Sequence, residues 1–340
     1  MPLKTLLKRI LPLALAVALL SYTLRRMPLA NLTEQVRAAQ PAWVALLVGV
    51  LTVQTVLRAF RWRMLLLSLG YRPTTYRALT AMLAGTASGL ILPGSGELLR
   101  CTILNRTDAI PLPQSLGTIV AERFVDLLFT GLLLTLTLLV QTNRLLDYVH
   151  RYVTLPGWLR QATGVELLTF GAAGLLALLT GGWLLYFGWQ RLPERYQFRD
   201  KWAGLRRGLA SAWRVPNVAL YLFINVLIHS LSVVCILTLF RALPVSQGLP
   251  PAAALTVVAV ASLGSITIPT QASLGSYHFL VSRALLAYGL SLVDSTVWAT
   301  FSHAVITLAN IALSLVGFLL SLRWLNRRPT IPYSESNVLP

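Results

Sequence analysis

The chain has 340 residues, of which 56% are hydrophobic and 12% charged, and its mean hydropathy is +0.68. Soluble domains carry about 25% charged residues, so this composition excludes a soluble globular enzyme and a disordered chain and points to a polytopic membrane protein. The 29 Lys and Arg against 11 Asp and Glu give a net charge of +18; because they sit in short stretches between apolar runs, they fit an anionic membrane face rather than nucleic acid.

Apolar runs long enough to span a bilayer, about 20 residues, are expected at 10–24 (short), 41–60, 114–140, 166–189, 217–240 and 294–322. The first follows Lys4, Lys8 and Arg9 and has no small-residue cleavage site behind it, so it reads as an uncleaved helix rather than a signal peptide. Two further stretches are interrupted. In 79–104 the run breaks at Pro93-Gly94-Ser95-Gly96, and in 252–289 it breaks between Ile268-Pro269 and Gly275. Proline removes a backbone donor and glycine weakens a helix. Each interrupted stretch is therefore expected to form a broken or re-entrant hairpin, which lipid tolerates only where the freed backbone is buried or faces a wet cavity. Cys101 and Cys235 both lie in apolar stretches, with no disulfide framework, metal-ligand spacing or cofactor motif.

With the N-terminus placed inside, 20 of the 29 Lys and Arg fall on the inner side and seven on the outer, leaving Arg123 and Arg283 within apolar runs. The expected fold is thus an all-α, single-domain membrane helical bundle with both termini cytoplasmic. The order span, broken segment, span occurs over 41–140 and again over 217–322, and the two breaks are entered from opposite sides. That is the pattern of an inverted repeat, which in transporters brackets a site near mid-membrane. Between the repeats, Phe198, Trp202, Leu205, Leu209 and Trp213 form one helical stripe among basic residues, so 198–214 is expected to lie on the inner leaflet surface.

The candidate binding residues follow from this map. Arg58 and Arg61 are three apart on one helix face, where guanidiniums could clamp a lipid phosphate. Composition alone favours plain inner-side anchoring, with Trp62 in the aromatic belt. At the first break, Pro93, Gly94 and Gly96 permit close backbone approach. Glu97 suits the start of a helix, and Arg100 at i+3 can pair with it. Glu122, Arg123 and Asp126 place three charges deep in an apolar run, where charges face a cavity or each other; Arg123 can reach Asp126 at i+3. In the second half, Gly275, Tyr277 and His278 follow the break, Arg283 lies beyond it and His303 sits in the last span. His229 and Asn225 share a face at i+4. Walker and hydrolase motifs are absent from the sequence.

These residues resemble the membrane region of lysylphosphatidylglycerol synthases and the flippase-like proteins that share it. The resemblance is carried by Arg58-x-x-Arg61-Trp62, Pro93-x-x-Gly96-Glu97-x-x-Arg100, Glu122-Arg123-x-x-Asp126 and Ile268-Pro269-Thr270 with Leu274-Gly275-Ser276-Tyr277-His278, across about residues 10–325. The chain departs from the family pattern at Gln271-Ala272-Ser273, where Pro-Gly-Gly is usual, and lacks the synthases' soluble transferase domain. The resemblance implies a lipid translocase of the bacterial plasma membrane, with no catalytic residue, metal or cofactor, whose partners are phospholipids, anionic or lipid-linked. It is also compatible with a homo-oligomer or a lipid-modifying enzyme as partner. The competing reading is an accessory subunit that binds lipid for a partner synthase or glycosyltransferase.

Overall fold

A computed structural model of the protein describes residues 3–25, 29–91, 95–152, 199–267 and 273–325. Every regular element among them is helical: α1 Leu3–Leu24, α2 Leu29–Ala38, α3 Pro41–Leu67, α4 Thr75–Ile91, α5 Ser95–Asp108, α6 Leu112–Tyr152, α7 Arg199–Ala210, α8 Val218–Ala242, α9 Pro251–Thr267, α10 Ser276–Leu286 and α11 Leu292–Leu325. Four stretches are long and apolar enough to cross a bilayer: Pro41–Leu67, Leu112–Thr142, Val218–Ala242 and Leu292–Arg323. The protein is therefore an all-α integral membrane bundle. The expected span 166–189, residues Pro93 and Gly94, and the second break at 268–272 lie outside the described residues.

Local chemistry explains where the helices start. Pro41 and Pro251 open α3 and α9, where a missing N–H costs no hydrogen bond. Asn217 accepts the Leu220 amide at 2.9 Å ahead of α8. Ser291 accepts the Asp294 amide at 3.0 Å, which caps α11, and its hydroxyl donates to the Asp294 carboxylate at 2.7 Å.

The chain divides into two compact units. Unit one is 1–49, 130–181 and 232–307; unit two is 50–129, 182–231 and 308–340. The order long helix, two short helices, long helix occurs as α3–α6 and again as α8–α11. In each set the two short helices pack on one another. The α4–α5 hairpin belongs to unit two and the α9–α10 hairpin to unit one.

In unit two, the first hairpin closes through glycine. A side chain at Gly85 would put its Cβ 2.6 Å from the Gly96 carbonyl oxygen, so the helices touch backbone to backbone. Across the same interface the Ser88 and Ser95 hydroxyls are 2.6 Å apart, and Arg77 pairs with Asp108 at 2.8 Å where α4 begins and α5 ends. Trp62, Leu66, Ala81, Ile103 and Leu104 pack around the hairpin as an apolar core.

Two sequence expectations change here, and a third gains a packing partner. The helix expected at 41–60 runs on to Leu67, so Arg58, Arg61 and Trp62 lie within it and not at its end. Trp62 is wholly buried and is no belt residue. The expected 198–214 helix is present as α7 followed by a 3-10 turn, Ser211–Arg214, and one face of it packs on α6. Its Gly204 meets Pro113 and Gln114, and its Gly208 crosses Gly117 of α6, while Trp213 stays 62% exposed. The glycines form the contact face because they alone let α7 and α6 backbones approach so closely. The short helix α2 was not among the expected elements.

Candidate functional site

Three helices of unit two, α3, α5 and α6, bring six charged side chains into one closed circuit. Arg61 donates through Nη2 to Glu122 Oε1 at 2.9 Å and through Nη1 to Asp126 Oδ1. The other Glu122 oxygen takes Arg100 Nη2 at 3.1 Å, and that same nitrogen reaches Glu97 Oε2 at 2.9 Å. The second Glu97 oxygen takes Arg123 Nη2 at 3.0 Å, and Arg123 Nη1 lies 3.9 Å from Asp126 Oδ2. Reading around the ring, every cation lies between two anions.

Helical spacing explains the ring. Glu122 and Asp126 are four apart and present both carboxylates on one side of α6, where the fork of Arg61 can take one with each Nη. Glu97 and Arg100 are three apart on α5, and Glu97 sits in its first turn, where a carboxylate suits the helix dipole. The glycine contact between α4 and α5 fixes where that turn begins.

The ring is graded in exposure. Arg61, Glu122 and Arg100 are buried, with side chains 1%, 4% and 5% exposed. Glu97 and Arg123 form a rim, 39% and 60% exposed. The buried floor is braced by uncharged groups. Asn225 of α8 accepts from Arg61 Nη1 at 2.7 Å and donates to the Tyr221 carbonyl at 2.7 Å. The Arg100 guanidinium lies 4.7 Å from the Trp62 ring, and the Trp62 indole donates to Thr118 Oγ1 at 3.0 Å. Two buried donors, Arg61 Nε and Arg100 Nε, have no hydrogen-bond partner among the described residues. Arg58, one turn before Arg61, adds a fourth guanidinium within electrostatic range of Asp126 and Glu122. The cluster thus has one more cation than anions.

The expected pairing of Arg123 with Asp126 is the weakest contact in the ring; its close partner is Glu97, from another helix. Gly96 serves the α4–α5 contact. His229 hydrogen-bonds within its own helix, its Nδ1 lying 2.9 Å from the Asn225 carbonyl, and its ring stacks on Phe129 of α6 at 5.1 Å. Sequence reasoning passed over Asn225 as a partner of Arg61, and Trp62 as a platform for Arg100. Both contacts cross between helices, so no local spacing in the sequence reports them.

In unit one a second, uncharged cluster gathers Tyr277, His278 and His303. The two imidazole rings are 4.7 Å apart, Tyr277 lies 5.3 Å from His303, and the Tyr277 and Ser302 hydroxyl oxygens are 3.1 Å apart. Gly275 adopts φ +80° directly before α10, with the backbone of α1 at Ala16 and Leu20 against its Cα. It permits helix approach at a backbone conformation that disfavours other residues. Arg283 lies apart from the imidazoles, with its guanidinium 5.7 Å from the Phe279 ring. Among the described residues no group of three or more His, Cys, Asp or Glu could hold a metal ion.

The family model described as lysylphosphatidylglycerol synthase TM region matches residues 9–326, nearly the whole chain. The chain belongs to that family. The match includes both hairpins and all six residues of the charge ring, and it ties this membrane protein to membrane lipids. No curated protein and no solved structure matches the chain.

Proposed function

We propose that the protein is a lipid translocase, in which the charge ring of unit two receives a phospholipid headgroup while the acyl chains remain in lipid. The observation that carries this reading is the ring's gradient from a buried floor to an exposed, exchangeable rim. Charged groups within membrane helices are costly and mark polar pathways. A purely structural lock would be complete with the buried trio. Here the circuit continues to Glu97 and Arg123, where an arriving phosphate can replace Glu97 on Arg123 and an arriving amine can replace Arg123 on Glu97. The extra cation, Arg58, and the unpaired Nε donors favour a net-anionic headgroup. The lipid leaves chemically unchanged.

The test is leaflet exchange in proteoliposomes. Fluorescent phosphatidylglycerol starts on the inner leaflet, and its appearance to an external quencher is followed with and without a proton gradient. Wild-type protein should accelerate exchange over empty liposomes, with the lipid mass unaltered. Wild type matching empty liposomes under both conditions, or a changed lipid mass, would overturn the proposal.

A further inference from the structure

Unit one contains a cavity of about 350 Å³ between the end of α1, α10 and the start of α11. We infer that it is an anion site, separate from the charge ring, which takes the phosphodiester of a phospholipid headgroup. Arg25, just past the end of α1, and Arg283 of α10 both line it, and no acidic residue is among those lining it. Neither guanidinium has a carboxylate partner among the described residues, in contrast to the three arginines of the ring. Two guanidiniums lining one cavity with no carboxylate among its walls leave donors available to an arriving anion. The volume falls in the range of small-molecule sites.

The cavity is built rather than incidental. Gly275 lets the α1 backbone approach the start of α10, so that Arg25 just past one helix and Arg283 on the other line the same cavity. The rings of Tyr22 and Phe279 lie 6.1 Å apart, and the Arg283 guanidinium sits 5.7 Å from the Phe279 ring, which limits its freedom. Ser282 and Thr296 also line the cavity. Each hydroxyl donates to a carbonyl of its own helix, at 3.0 Å and 2.7 Å, and so offers only oxygen lone pairs. Guanidinium donors beside hydroxyl acceptors match a phosphodiester whose headgroup itself carries a hydroxyl or amine, as glycerol and ethanolamine headgroups do. The cavity rests on the translocase reading only for the choice of a lipid over a soluble phosphate ester.

The test uses full-length protein in phosphatidylcholine nanodiscs with phosphatidylglycerol bearing a photoreactive headgroup, and crosslinked peptides are mapped. Crosslinking within 22–25 or 279–283 is expected, with loss of about tenfold or more in Arg25→Gln/Arg283→Gln and retention in Arg283→Lys. Unlabelled phosphatidylglycerol should compete and glycerol 3-phosphate should not. Equal competition by glycerol 3-phosphate would overturn the lipid assignment, and undiminished crosslinking in the double variant would overturn the site. Should the double variant fail to fold, Arg283→Gln against Arg283→Lys decides by the same criterion. Glu97→Gln leaves this crosslink intact whether or not it stops leaflet exchange, so failure of the cavity and failure of the ring are read separately.

Discussion

The two hairpins share a backbone plan and differ in chemistry. The α4–α5 hairpin of unit two leads into a ring of alternating full charges. The α9–α10 hairpin of unit one leads into tyrosine, imidazole and hydroxyl groups, with its arginines set apart in a cavity. A break in a membrane helix exposes backbone that must be satisfied; what the neighbouring side chains then do is a separate choice. The strength of each arrangement can be ranked, because removing one partner of a buried ion pair strands a charge, whereas removing a neutral hydroxyl contact strands little.

The sharpest way to break the contrast is Glu122→Ala. It leaves Arg61 and Arg100 buried with fewer counter-charges, at a cost of about 3–5 kcal/mol. Folded yield and thermal unfolding in detergent should both collapse. Arg61→Lys should share much of this loss, since one ammonium cannot reproduce the two-nitrogen reach to Glu122, Asp126 and Asn225. A smaller effect is expected from Gly85→Ala, whose Cβ meets the Gly96 carbonyl; forcing the hairpin apart costs about 1–3 kcal/mol. The lowered unfolding temperature should come with weakened leaflet exchange, because α5 carries Glu97 and Arg100. The smallest effect belongs to unit one. Tyr277→Phe removes the contact with Ser302 and should cost about 1 kcal/mol, read as a shift of a few degrees.

The membrane class and most helices were legible in the sequence because long apolar runs and Pro-Gly interruptions are local signals. Glu97 with Arg100, and Glu122 with Asp126, were legible for the same reason, since i+3 and i+4 spacing fixes a shared face. The clamping of Glu122 and Asp126 by Arg61 was not legible. It depends on α3 continuing seven residues past the expected end at Phe60, so that a run resembling inner-side anchoring lies buried. The i+3 reach of Arg123 to Asp126 is present, but its closer partner, Glu97, comes from another helix, and no spacing rule reports that. The seat of α7 was hidden in Gly204 and Gly208, whose lack of a side chain makes them silent in a hydrophobic pattern. The cavity of unit one joins Arg25 to Arg283 across 258 positions of sequence, a pairing that only packing reveals.

The central claim is that the exposed rim of the ring handles the headgroup, and side-by-side exchange rates for Glu97→Gln and Tyr277→Phe in phosphatidylglycerol proteoliposomes test it most directly. If the rim carries the lipid, Glu97→Gln slows exchange by about tenfold or more while its unfolding temperature stays near wild type, and Tyr277→Phe stays within about twofold. A Glu97→Gln protein that exchanges lipid at the wild-type rate would contradict it, and would leave the ring as a lock between helices.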